Sequence, residues 1–301
     1  MKTKLQLLAA ALIFFSIVMV SCQKESSLQL STVTEEESLT VSQENTAAEA
    51  EYDDITEIGL SVGADLEAAA STNVEIPGAP AGGGLNGRIE LFFDLQFKVG
   101  PCTKIDVSPD DSTFPKTVTV DYGEGCICRD GKFRKGAIVF YFTGPIRRPG
   151  SVLTITLRNY HVNRMHIEGV KTIKNLTENG VHAYSTAVVN GKVTWPNGRG
   201  FSYEGSKKVT QVRGSETRTI RDDVYSIVGR NKTVYANGVT VNKNTETPLI
   251  KPVACPWIVK GVLKIKINDR VVYIDFGNGD CDNKALLTWN NGNNQRLITL
   301  P

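Results

Sequence analysis

The chain has 301 residues, 41% of them hydrophobic and 22% charged, with 34 Lys and Arg against 32 Asp and Glu. The near-neutral total hides two opposed blocks: residues 23–80 carry thirteen acids and one lysine, a net of −12, and residues 81–301 a net of +12. No run of five basic residues and no nucleic-acid-binding motif occurs, which removes nucleic acid from the expected partners of the basic block.

Met1-Lys2-Thr3-Lys4 leads into an apolar run ending at Val20, the positive start and short apolar stretch of a secretory signal. From Leu7 to Val20 the run is fourteen residues, short of the ~20 that a spanning helix needs. Residues 1–21 are therefore expected to be a signal peptide. The segment Val18-Met19-Val20-Ser21-Cys22 resembles the lipobox of bacterial lipoproteins. That resemblance implies diacylglycerol on the Cys22 thiol, cleavage at Ser21–Cys22 and acylation of the new amine. The membrane would then be a partner through Cys22, held by acyl chains that contribute about 0.8 kcal/mol per buried methylene.

Residues 22–50 are rich in Ser, Thr, Gln and Glu and lack Pro, Gly and aromatics, so they read as an acidic, flexible, disordered tether. Such a tether would be repelled by an anionic membrane and extend. The basic block could attract acidic glycan or lipopolysaccharide phosphate, or simply spread its charge over solvated strand faces; the second reading is preferred. Its densest local clusters are Arg129/Lys132/Arg134/Lys135 and Arg213/Arg218/Arg221. Residues 51–85 read as a helix plus a Pro/Gly-rich linker. Tyr52, Ile55, Gly59, Val62 and Leu66 fall at helical spacing within Ala47–Ala70, and Pro77 to Gly84 breaks the chain. Gly59 and Gly63 count against that helix.

Residues 86–301 read as a β domain. Arg88–Lys98, Thr117–Tyr122, Ala137–Thr143, Val152–Val162, Val181–Trp195, Val262–Ile267 and Arg270–Phe276 are rich in Val, Ile, Thr, Tyr and Phe between turn-forming clusters. Asn-Gly pairs at 179–180, 190–191, 237–238 and 291–292 are hairpin signals. With no helical segment between strands, parallel crossovers are not expected. The expected fold is all-β: about fourteen mostly antiparallel strands in an elongated, curved sheet, as an open barrel or a sandwich, with one N-terminal helix.

Val118-Thr119-Val120-Asp121-Tyr122-Gly123-Glu124-Gly125 reappears as Val272-Tyr273-Ile274-Asp275-Phe276-Gly277-Asn278-Gly279 without a gap. The echo implies a repeated hairpin unit over about 102–144 and 255–292. Cys102 and Cys255 precede the two copies; Cys126, Cys128 and Cys281 follow the Gly-x-Gly turns. Export makes disulfides plausible, and the repeat favours Cys255–Cys281 and Cys102 with either Cys126 or Cys128. Zinc at Cys126/Cys128 is disfavoured by the C-x-C spacing without a nearby His.

The two Asp-aromatic-Gly turns resemble the paired Asp loops of aspartic proteases, on which a hydrolase using Asp121 and Asp275 would rest. Tyr122 and Phe276 stand where that family needs a small hydroxyl, so each Asp is expected to accept turn amides instead. His161 and His166, five apart in an extended strand, are expected on opposite faces and unable to share a ligand, and His182 is remote. Asp280, Asp282 and Asn283 fall short of a calcium cage. No catalytic residue, metal site or cofactor is assigned. Trp195, Trp257 and Trp289, with Tyr203 and Tyr235, are glycan-stacking candidates against the simpler reading of core packing. Asp111-Ser112-Thr113 matches a short O-glycosylation acceptor motif.

The Cys22 lipobox, Cys22-Gln23-Lys24-Glu25, the acidic stretch and the 275–283 turn together resemble uncharacterised lipoproteins of Bacteroidota. That resemblance implies a cell-envelope, outer-membrane lipoprotein on the surface or periplasmic face, and no activity. The expected function is a non-enzymatic structural or binding module for a glycan or protein ligand. A fimbria-like adhesin subunit is the alternative, and the lack of Lys or Arg in residues 51–80 counts against it.

Overall fold

The computed structural model describes residues 34–71, 84–101, 103–217 and 219–300. The signal peptide, Cys22, Cys102 and the Pro77–Gly83 linker lie outside these. Helix α1 spans Glu35–Ser71 and a short helix α2 spans Phe93–Val99, after a 3-10 turn at Leu85–Leu91. The strands are β1 (Lys104–Ser108), β2 (Lys116–Asp121), β3 (Cys126–Ile127), β4 (Phe133–Phe142), β5 (Val152–Val162), β6 (Met165–Asn175) and β7 (Ala183–Thr194). They continue as β8 (Gly200–Arg213), β9 (Val224–Tyr235), β10 (Thr240–Pro252), β11 (Lys260–Ile267), β12 (Arg270–Asn278), β13 (Lys284–Trp289) and β14 (Asn294–Thr299).

All strands belong to one antiparallel sheet, and apart from the short β3 each pairs with its neighbours in chain order. Hairpins alone can make such a meander. The sheet is open and curved, because α1 meets side chains from β4 through β10. Gly59 faces Phe140, Leu153 and Ile155; Tyr52 stacks on Tyr203 at 4.6 Å; Glu49 reaches Lys243. Between Glu51 and Leu66 every helical residue except Asp53 and Glu57 is buried. A helix enclosed on all sides shows no single apolar stripe.

Four readings need correction. The helix starts at Glu35, so residues 35–50, expected in the tether, are helical. Within them Glu44 meets Arg199, Glu49 meets Lys207 and Lys243, and the Ser38, Ser42 and Thr46 hydroxyls bond carbonyls one turn earlier, partners that composition does not register. Gly59 and Gly63, counted against the helix, sit where it packs tightly on β4, β5 and the loop between them. A Cβ on Gly63 would stand 2.5 Å from Ile146, and one on Gly59 3.0 Å from Leu153. Arg88–Lys98, expected as a strand, is a 3-10 turn followed by α2. Phe92, Leu95 and Val99 are buried at helical spacing, and the Asp65 carboxylate accepts the Asp94 and Leu95 amides at 3.0 and 2.8 Å. Asn190-Gly191 is not a hairpin turn but a bulge within β7, where the chain passes Tyr203 and the Tyr52 hydroxyl. The other three Asn-Gly pairs do lie between successive strands.

The repeat is visible as one turn used twice. Asp121 accepts the Gly123 amide at 2.8 Å and Asp275 accepts the Gly277 amide at 2.9 Å. Tyr122 and Phe276 both point into the core. At the first edge, the Asn86 side chain accepts the Val107 amide and donates to its carbonyl, both at 2.8 Å. An amide side chain thereby stands where a further strand would pair, which blunts the edge.

Candidate functional site

The basic sheet and the acidic helix explain one another. Glu49 meets Lys207 at 2.7 Å and Lys243 at 2.9 Å, and Asp53 meets Lys207 at 2.7 Å. Asp54 pairs with Lys98 and Arg134, both at 2.7 Å, and Glu57 with Lys98 at 2.6 Å and Lys251 at 2.8 Å. Arg134 and Lys243 are almost wholly enclosed. Burial would raise the Glu49 and Asp54 carboxyls, but the surrounding cations outweigh it and hold both well below the usual carboxylate range. Lys171 has weaker partners: Tyr52 carbonyl at 2.6 Å and Asp53 at 3.7 Å. Burial there pushes the ammonium down to about 8. Asp65, buried and held by amides rather than cations, is pushed up to about 7.

Few of the residues singled out from the sequence come together. Asp121 and Asp275 are exposed on β2 and β12, and no strand pairing, hydrogen bond or ion pair joins them among the described residues. Trp195 lies after β7 against Phe201, Trp257 before β11 and Trp289 at the end of β13; each packs partly buried on the core. Tyr203 and Tyr235 are buried. Cys255 is bonded to Cys281. Cys126 is disulfide-bonded, and Cys128 is a buried thiol whose titration burial pushes up. Asp111 accepts both the Thr113 amide and its hydroxyl, which orders the exposed acceptor motif. Asp282 caps the Lys284 amide at 3.0 Å, as turn chemistry requires.

His161 and His166 correct an expectation. They are not on opposite faces, because the chain reverses between them at Asn163, whose φ is +52°. They sit directly opposite one another on β5 and β6, rings stacked 4.4 Å apart.

The linear basic clusters are largely consumed: Lys132 pairs with Glu51, Arg134 with Asp54 and Asp130, and Arg221 with Asp94. The Arg218 side chain lies outside the described residues. Cations on the solvated strand face, where the preferred reading put them, gather into aligned rows that the sequence alone does not reveal. Register aligns Arg230, Asn244 and Lys264 across β9, β10 and β11, and beside them Lys232, Asn242 and Lys266. Strand spacing sets each pair of cations roughly 10 Å apart across the central asparagine, and the rows roughly 7 Å apart. Arg230, Lys232 and Lys266 are exposed; Lys264 lies 3.5 Å from Glu246 and over the Tyr273 ring. Glu204, opposite Lys232, bounds the patch on β8. Such a surface offers four cations with amide donors and acceptors between them, suited to phosphate, sulfate or carboxylate groups on an extended polymer.

No family model, curated protein or solved structure matches the chain.

Proposed function

We propose that this is a lipid-anchored lipoprotein of the cell envelope, tethered at Cys22, that works as a non-enzymatic binding module for an anionic glycan. The observation that supports it is the pair of cationic rows on the outer face of β9–β11. The acids of α1 meet the cations of the inner face, whereas Arg230, Lys232 and Lys266 project to solvent around Asn242 and Asn244. Asparagine amides can bond sugar hydroxyls while the flanking cations take the acidic substituents. With α1 beginning at Glu35, twelve residues separate it from Cys22. They reach at most roughly 45 Å, which limits how far the start of α1 can stand from the anchor.

Two measurements test this reading. Titration against phosphorylated or uronic-acid polysaccharides, with neutral dextran as control, should show saturable binding that weakens with salt. The double substitution Lys232→Glu and Lys266→Glu should reduce it at least tenfold. Equal binding by that variant, or equal affinity for dextran, would refute the assigned surface. Palmitate labelling that persists in Cys22→Ala would refute the anchor.

A further inference from the structure

We infer that the stacked pair His161 and His166 is a surface site for one borderline divalent transition-metal ion, of the zinc and nickel class. The two residues are cross-strand partners at the end of the β5–β6 hairpin, with ring centroids 4.4 Å apart and planes within 15°. Each ring is turned so that its Nδ1 faces an oxygen. His161 Nδ1 lies 2.9 Å from the Asn159 carbonyl, and His166 Nδ1 lies 3.8 Å from Glu168 Oε2. A carbonyl can only accept, so His161 carries its proton on Nδ1; the carboxylate favours the same tautomer at His166. Both Nε2 lone pairs are then left for a metal. An outer oxygen on the second ring nitrogen is the usual support of a metal-binding histidine.

Local geometry holds the pair in place. Gly136, at φ +81°, passes so close to β5 that a Cβ there would stand 2.1 Å from the Asn159 carbonyl oxygen. That contact fixes the strand segment carrying the acceptor for His161. Lys192 lies 3.7 Å from Glu168, the carboxylate beside His166. Zn–N bonds of about 2.1 Å put two tetrahedral ligand nitrogens roughly 3.4 Å apart; the stacked rings reach this by turning about χ2, roughly 40° each, so that their planes converge on the ion. No group of three or more His, Cys, Asp and Glu side chains forms a metal cage among the described residues. The site therefore has two protein ligands, with its other positions open to water or to an electron-pair donor on a bound molecule.

The test is calorimetric titration of the detergent-solubilised full chain, free of any polyhistidine tag, with Zn2+ and separately with Ni2+. One ion per chain should bind. His161→Gln or His166→Gln should each weaken binding at least tenfold, and His182→Gln should leave it unchanged. Undiminished binding by the double variant, or no saturable binding at all, overturns the assignment. A second measurement needs no variant: Zn2+ should shield His161 and His166, but not His182, from diethyl pyrocarbonate. Equal modification of the pair with and without the metal would also overturn it.

Discussion

Replacing Glu49 by Gln should be among the most damaging conservative changes in the molecule. Lys243 is 1% exposed and its ammonium lies 2.9 Å from Glu49 Oε2. Lys207, the other cation on Glu49, retains Asp53 at 2.7 Å, so Lys243 is the group stranded. Breaking a buried ion pair from one side costs about 3–5 kcal/mol. The bound comes from the cheapest escape, loss of the Lys243 proton. Moving an ammonium from its ordinary pKa of ~10.4 to neutrality at pH 7 costs about 4.6 kcal/mol, and the cost falls by about 1.4 kcal/mol for each unit of higher pH. Urea unfolding of wild type and Glu49→Gln at pH 7 and pH 8.5 should show that decline. Lys243→Met should cost about 1–2 kcal/mol, because Glu49 keeps Lys207 and the Asn231 amide at 3.0 Å. The double variant should be more stable than Glu49→Gln alone, since an apolar side chain no longer needs a counterion. A loss under 1 kcal/mol for Glu49→Gln at pH 7, or a double variant no better than the single, would refute this account of the interior.

Asp65 makes a separate pH prediction. Its carboxyl titrates at about 7 when folded and at about 3.9 when unfolded, so the folded state binds the extra proton between those values. Its contribution to stability therefore falls as pH rises from about 4 to about 7. Asp65→Asn should remove that slope from the variant's own profile, so the gap between the two stability–pH profiles should change between about pH 4 and 7; parallel profiles would refute it. The Glu49 and Asp54 carboxyls, depressed when folded, act oppositely: their stabilisation is present above the ordinary carboxylate range and disappears only in strong acid. Replacing Cys255 and Cys281 by Ser opens a link across 26 residues and should cost about 3 kcal/mol in chemical denaturation. Asn86→Ala uncovers the β1 edge at Val107; a loss of about 1–3 kcal/mol and concentration-dependent self-association by light scattering are expected, and a monomer of unchanged stability would contradict the edge-blunting role.

The two-residue periodicity beyond residue 100 was legible because each strand buries one face. Val152–Val162 was read to the residue, and the antiparallel meander follows from short connections. What was not legible depends on partners distant in sequence. Residues 35–50 look like solvated tether because their five carboxylates are unfavourable to bury, until distant parts of the chain supply cations, as Arg199 does for Glu44 and Lys243 for Glu49, 155 and 194 positions onward. Arg88–Lys98 carries a strand-like composition, and the Asp65 carboxylate that caps the first turn of α2 lies 29 residues before Asp94. His161 and His166 were assigned to opposite faces on the premise of one continuous strand. The turn at Asn163 and Arg164 makes them direct partners instead. Of the candidate surface, solvated basic strand faces were expected but their alignment was not: Arg230, Lys232, Lys264 and Lys266 form no linear cluster, and only strand register assembles them.

The opposed charge blocks are consequently not one electrostatic feature but two. On the inner face, cations are desolvated, and each requires a specific acid at a specific height along α1. Burying an ion costs several kcal/mol even when it is paired, so an apolar helix of similar shape would hold the sheet at least as well. What ion pairs add is position. Glu44 meets Arg199 beyond the end of β7, Glu49 meets β8 and β10, Asp54 meets β4, and Glu57 meets β10 again through Lys251. Sliding α1 by one turn, 5.4 Å, would bring Ile58 toward Lys98 and Arg134 in place of Asp54. On the outer face the same residue types stay hydrated, cost little to maintain and remain available to a ligand. Alternation along β10 divides the two roles between adjacent positions: Lys243 turns inward to Glu49, while Asn242 and Asn244 turn outward between the cationic rows.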